Sequence, residues 1–104
     1  MSTPRAEILK SMLAQDPANA FARYGLAMEY SNAGELESAV TEFEGLLAAD
    51  PNYVAAYFHG GRALEKLGRA DEARSIYERG IVACRRKGDG HTEAEIRAAL
   101  ELLL

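Results

Sequence analysis

The sequence predicts an all-α solenoid of antiparallel helical hairpins, about six helices within a single domain. Three observations carry that expectation. Asp16-Pro17 and Asp50-Pro51 lie one period of thirty-four residues apart, and the same shift lays Gly34 on Gly68, Ala22 on Ala56, Ala39 on Ala73, Phe43 on Tyr77 and Glu44 on Glu78. Apolar residues recur at helical rather than strand spacing throughout. A glycine falls midway through each period, where one helix would stop and another begin. Self-similarity of this kind marks stacked repeats, each burying its apolar face on the next.

Residues 3–15 form the first expected helix. Thr3 can cap it, Pro4 takes the first helical position, where a missing N–H costs nothing, and Ile8, Leu9, Met12 and Leu13 give it an apolar face. Set back by one period, this segment falls where the second helix of a preceding hairpin would lie. It is therefore expected to cover the apolar side of the first repeat, as terminal units of stacked repeats require. That repeat, 17–50, is read as Asp16 capping a helix that opens with Pro17 and carries Phe21, Tyr24, Leu26, Ala27 and Tyr30. Gly34 supplies a left-handed stop. The second helix carries Leu36, Ala39, Val40, Phe43, Leu46 and Leu47, and the small Ala27 and Ala39 permit close approach. Glu35, Glu37, Glu42 and Glu44 read as a solvated outer face.

The second repeat, 51–84, follows the same plan from Asp50-Pro51 through Gly68. Gly60-Gly61 sits inside its first helical run and is read as a site of close helix packing. The repeat ends on Cys84-Arg85-Arg86-Lys87-Gly88-Asp89-Gly90, cations suited to a helix C-terminus followed by glycines that break it. Residues 92–104 restart a covering helix. Thr92 with Glu95 three residues on reads as a capping box, Ile96, Ala99, Leu100 and Leu103 as a buried stripe, and Glu93, Arg97 and Glu101 as ion pairs at four-residue spacing. Leu102-Leu103-Leu104 carries apolar residues past a single face, which implies deeper packing or a surface for self-association.

Composition narrows the function. The apolar content of 48% and charged content of 27% are those of a soluble globular domain. No apolar run approaches the ~20 residues of a membrane span, and Glu7 and Lys10 interrupt any signal-peptide core. A single cysteine excludes an internal disulfide and suits a reducing compartment, so a cytoplasmic location is expected. Cys84 beside Arg85 and Arg86 reads as a partly buried structural thiol. The net charge of −4 argues against a nucleic-acid partner, although Arg79, Arg85, Arg86 and Lys87 could form a small basic patch. His59 and His91 have no partners at metal-ligand spacing, and no nucleophile stands with a base and an orienting group. Neither catalysis, a cofactor nor a metal is expected.

The repeat resembles the tetratricopeptide repeats, whose pattern runs aromatic, Leu-Gly, Tyr, Ala, Phe and Pro at fixed offsets. The first unit supplies Leu26-Ala27, Tyr30, Ala39, Phe43 and Pro51; the second supplies Tyr57, Gly61, Leu64, Gly68, Ala73 and Tyr77. Arg23 stands in place of the leading aromatic, Ala27 of the glycine, Gly60 of the leucine and Arg85 of the closing proline. The resemblance covers about two thirds of the chain. It implies a right-handed solenoid whose first helices line a concave groove holding a peptide or helix of another protein. The groove places, carried onto this sequence, are Phe21, Tyr24, Met28, Ser31 and Asn32, then Ala55, Phe58, His59, Arg62, Glu65 and Lys66. Some members of the family grip a terminal carboxylate with Lys and Asn here; with Tyr24, Met28, Phe58 and Arg62 in those places the clamp is largely missing. The implied groove is apolar and aromatic with one or two cations, and the implied function is protein interaction without catalysis. A homodimer built on the groove or on the apolar C-terminal helix is the alternative.

Overall fold

A computed structural model describes residues 3–103. Six helices succeed one another among them, with no strand: α1 (Pro4–Gln15), α2 (Ala20–Asn32), α3 (Leu36–Ala49), α4 (Val54–Lys66), α5 (Ala70–Lys87) and α6 (Gly90–Leu102). Leu104, the last of the apolar run, lies outside the described residues. Each helix packs on the next in chain order. α4 also meets α2 and α6, whereas α3 and α5 do not approach one another backbone to backbone. The odd-numbered helices therefore form one layer and the even-numbered helices the other. The shortest extent, 19 Å, is that of two helix diameters.

Phe43 and Tyr77, one period apart, are both fully buried and anchor the main core, together with Leu46, Ile76 and Ile96. The helices come this close because small residues face large ones. A side chain at Gly60 would meet Ile76 and Phe43, one at Gly61 the ring of Tyr77, and one at Gly80 Tyr57 and Ile96. Cys84 is buried in the same core, and burial pushes its thiol pKa up, with Asp89 and Glu93 adding in the same direction. A second, smaller cluster joins α1 to α2 through Ala6, Leu9, Ala22 and Leu26.

The mid-repeat glycines stop their helices as expected, Gly34 at φ 79° and Gly68 at φ 76°. The bonds from Glu35 N–H to the Tyr30 carbonyl and from Arg69 N–H to the Leu64 carbonyl, both 2.9 Å, complete Schellman closures.

The expected helix starts are corrected. Asp16 and Asp50 do not start helices; they follow the ends of α1 and α3. Their side chains accept from the backbone N–H two residues on, Ala18 at 3.2 Å and Asn52 at 3.1 Å, an Asx turn that carries the chain through the proline. α2 is instead capped by Asn19, which accepts from Ala22 N–H at 3.0 Å. α6 begins at Gly90 rather than after Thr92, because Asp89 offers two oxygens where threonine has one. One accepts from Thr92 N–H at 2.9 Å and the other from the Thr92 hydroxyl at 2.8 Å.

α1 buries Ala6 and Leu9 and leaves Ile8 and Met12 exposed, since a helix touching one neighbour hides only a narrow stripe. The acidic face of α3 is not merely solvated. Glu42 pairs with Arg23 at 2.8 Å, Glu37 with Arg69 at 3.1 Å and Glu44 with Arg79 at 3.5 Å. Arg23, standing where the repeat pattern has an aromatic, thus ties α2 to α3 by charge.

Candidate functional site

α2 and α4 lie side by side in the even-numbered layer. On their shared face the rings form a connected series. Phe58 meets His59 edge-on at 5.1 Å between centroids, His59 meets Tyr24 edge-on at 6.0 Å, and Tyr24 lies 5.1 Å from Tyr53 and 6.3 Å from Phe43. Phe43 belongs to the core, so the series runs from buried interior to surface. The Arg62 guanidinium sits 5.9 Å from the centre of the Phe58 ring, one turn along α4, a cation–π placement that sets positive charge at the rim.

The expected site residues divide by exposure. Tyr24, Met28, Phe58 and His59 are half-buried, with Tyr24, Met28 and Phe58 packed against the core. Phe21 is 67% exposed near the start of α2, with a large apolar side chain offered to solvent. Arg62 is exposed, as are Asn32 and Lys66, which stand at the C-terminal ends of α2 and α4. The structure thus brings Tyr24, Phe58, His59 and Arg62 together in one series and leaves Phe21, Asn32 and Lys66 at its periphery.

Burial lowers the pKa of His59. Arg62 pushes it the same way and Glu95, on α6, opposes both, leaving the ring neutral at pH 7. Burial raises the Tyr24 hydroxyl, with Tyr53 adding to the shift. Aromatic faces, an imidazole and one guanidinium present a largely apolar contact surface with a cation at its rim. Among the described residues no group of three or more His, Cys, Asp or Glu could hold a metal ion.

Tyr53 was not foreseen. It occupies the turn just before α4, and its equivalent one period earlier is Asn19, so neither helical spacing nor the repeat marks it. Its only sequence signal is an aromatic beside Pro51-Asn52. The basic run also resolves differently from a single patch. Arg85 turns to Glu93 on α6 at 3.4 Å, while Arg86 turns the other way, its Nε donating to Asn52 Oδ1 at 2.7 Å.

A family model for the tetratricopeptide repeat matches residues 24–89, more than half of the chain. The chain belongs to the tetratricopeptide repeat family. A TPR repeat-containing protein of Pseudomonas aeruginosa is 33% identical over 97 residues, 93% of this chain and 92% of that protein. Among solved structures, a Bordetella parapertussis protein of 29% identity superimposes with a TM-score of 0.83, covering 99% of this chain and 89% of its own. The TPR2B domain of yeast Sti1, solved in complex with pHsp70, has a TM-score of 0.89 over 94% of this chain and 78% of its own; at 16% identity it shares the fold. The TPR assignment makes the even-numbered helices the first helices of their repeats and the odd-numbered helices the second. No helix among the described residues is long and apolar enough to cross a membrane.

Proposed function

We propose that this TPR protein is an interaction module that holds a segment of a partner protein, an extended peptide or a helix, against the face shared by α2 and α4. In this reading Phe21, Tyr24, Met28, Asn32, Phe58, His59, Arg62 and Lys66 line the contact, and α1 and α6 cover the ends of two repeats. One observation supports it above the others: a continuous aromatic series emerges from the core and ends at a solvent-facing cation. Aromatic and arginine side chains are the types that carry energy at interfaces. The Sti1 domain, alike in fold, is solved with a bound partner, pHsp70. Two repeats offer limited area, so the affinity expected is micromolar rather than nanomolar. A buried, unreactive cysteine suits a cytoplasmic setting.

The test compares wild type with a Tyr24→Ala, Phe58→Ala double variant, both first shown to be helical and cooperative in melting. Affinity capture from the native lysate identifies the partner, and titration of that purified partner then measures each protein. Binding weakened about tenfold or more in the variant supports the α2–α4 face, as expected for losing two anchors. Equal binding places the contact elsewhere. A wild type that recovers only itself points to the homodimer, for which Leu102, 86% exposed on α6, is the available apolar contact.

A further inference from the structure

The face opposite the aromatic series carries a furrow between α3 and α5, open because the backbones of those helices stay apart, and floored by α4. Two ion pairs span it, Arg69 Nη1 to Glu37 Oε1 at 3.1 Å and Arg79 Nη1 to Glu44 Oε1 at 3.5 Å. Glu44 lies two helical turns beyond Glu37 on α3. α3 ends at Ala49, and the turn that follows holds Pro51 and Asn52, neither with a carboxylate, while α5 presents Arg86 two turns beyond Arg79.

Arg86 is therefore a cation with no anion opposite. Its Nε donates to Asn52 Oδ1 at 2.7 Å and its Nη2 to the Pro51 carbonyl at 3.4 Å, both neutral acceptors, and no carboxylate among the described residues stands within ion-pair distance. Beside it lies a shallow, open cleft of about 470 Å³. Leu47 and Pro51 form one wall and Tyr57 the floor, with the Arg79 guanidinium 5.7 Å from its ring centre. Val82, between Arg79 and Arg86 on the other wall, is 59% exposed. An apolar hollow with an unanswered cation at its end is complementary to an aliphatic group accompanied by negative charge.

We propose that this cleft is a second docking site, for a segment of a partner protein in which an aliphatic side chain is flanked by carboxylates. The aliphatic group fills the space over Tyr57 beside Val82, and a carboxylate pairs with Arg86 in the place that the ion-pair series leaves vacant. A nucleic acid fits this surface poorly. Arg79 and Arg85 are already paired with Glu44 and Glu93, so the basic run offers a phosphate backbone too few free cations on an acidic protein.

The experiment follows the backbone amides of the nitrogen-15-labelled full chain by NMR. The probe is a short peptide, acetylated and amidated, with one leucine between two glutamates; a glutamine counterpart and a single-stranded RNA oligonucleotide are titrated alongside. The expected result is saturable shifts centred on Ala48, Asn52, Val82 and Arg86, with the glutamine peptide about tenfold weaker, as for loss of a charge-assisted pair. Arg86→Gln should weaken the peptide to a similar degree. Since Arg86 also braces the Pro51–Asn52 turn, Val82→Glu is the second variant: its side chain is largely exposed and outside the core, and a carboxylate there should abolish binding while leaving the fold intact. The Tyr24→Ala, Phe58→Ala variant should bind the probe like wild type, so this site stands or falls apart from the α2–α4 face. Shifts centred on Tyr24 and Phe58, equal binding of the glutamine peptide, tighter binding of RNA, or no shift at millimolar peptide would each overturn the proposal.

Discussion

The ring of Tyr77 occupies the space that a side chain at Gly61 would need: a Cβ there would stand 2.1 Å from Cε1 and 2.5 Å from Cζ. The Tyr77 hydroxyl donates to the carboxylate of Glu65, one turn further along the helix that carries Gly61, so the ring is held against α4 by packing and by its hydroxyl. In the first repeat the equivalent places hold Ala27 and Phe43, a slightly larger small residue facing a ring without a hydroxyl.

Gly61→Ala should therefore destabilise the protein. Alanine is preferred over glycine in a helix by about 1 kcal/mol, but forcing a methyl into a packed core costs about 1–3 kcal/mol, and the pinned ring cannot withdraw without losing its hydrogen bond. Urea denaturation measures the difference. Adding Tyr77→Phe should recover part of the loss by freeing the ring to shift; a stabilising Gly61→Ala would show that the ring is not held.

Gly34→Ala and Gly68→Ala should each cost about 1–2 kcal/mol, through a different cause. Nothing lies within 4 Å of a Cβ at either position, so the whole cost comes from the positive φ. Asparagine, which tolerates this conformation better, should cost less than alanine at both places. Equal melting temperatures for the alanine and asparagine variants would contradict this.

The contrast between these glycines shows what the sequence made legible. Period and spacing place the helices, the turns at Gly34 and Gly68 and the close packing at Gly60-Gly61, because these depend on local conformation and on residue size. The helix starts were misplaced because Asp-Pro suits two local structures equally. An aspartate before proline can cap a helix or close an Asx turn, and only the direction of the preceding helix decides between them. Tyr24, Phe58 and Arg62 were legible as neighbours on one face, whereas Tyr53 was not, because its contact with Tyr24 depends on how a turn is folded. The pairing of the α3 glutamates Glu37 and Glu44 with Arg69 and Arg79 was hidden for a similar reason, since periodicity does not give the separation between two helices.

Removing α6 by truncation at Gly90 should leave an aggregating or poorly folded chain. Ile96 is fully buried, and Leu100 and Leu103 pack on the main core. Exposing what they cover costs about 1.5–3 kcal/mol for each large side chain, enough together to take a small domain near its limit. Circular dichroism and sedimentation provide the measurement. A truncated chain that remains monomeric with an unchanged melting temperature would refute the covering role of α6.

Asp89 should set part of the acid limb of stability. Its pKa is lowered first by the Thr92 backbone N–H and then by the Thr92 hydroxyl, both of which bind the ionised form. A folded value below the unfolded one means a contribution fully present above the unfolded pKa, near 3.9, and lost as pH falls through the folded value. Asp89→Asn keeps a capping oxygen but removes the titration. Its melting temperature should therefore fall less steeply than that of wild type below about pH 4. Parallel acid limbs in the two proteins would show that Asp89 has no such role.

Cys84 is the one thiol of the chain, closed off from solvent and held in its protonated, unreactive form. A thiol reagent in the surrounding solution consequently reacts only during the intervals when the last turns of α5 separate from their neighbours. At low reagent concentration the labelling rate reports the equilibrium fraction of time spent open, and at high concentration the opening rate itself. The protein thus carries a chronometer of its own breathing, placed where the second repeat joins α6, and a partner that clamps this junction would register as a slower reaction before any complex is isolated.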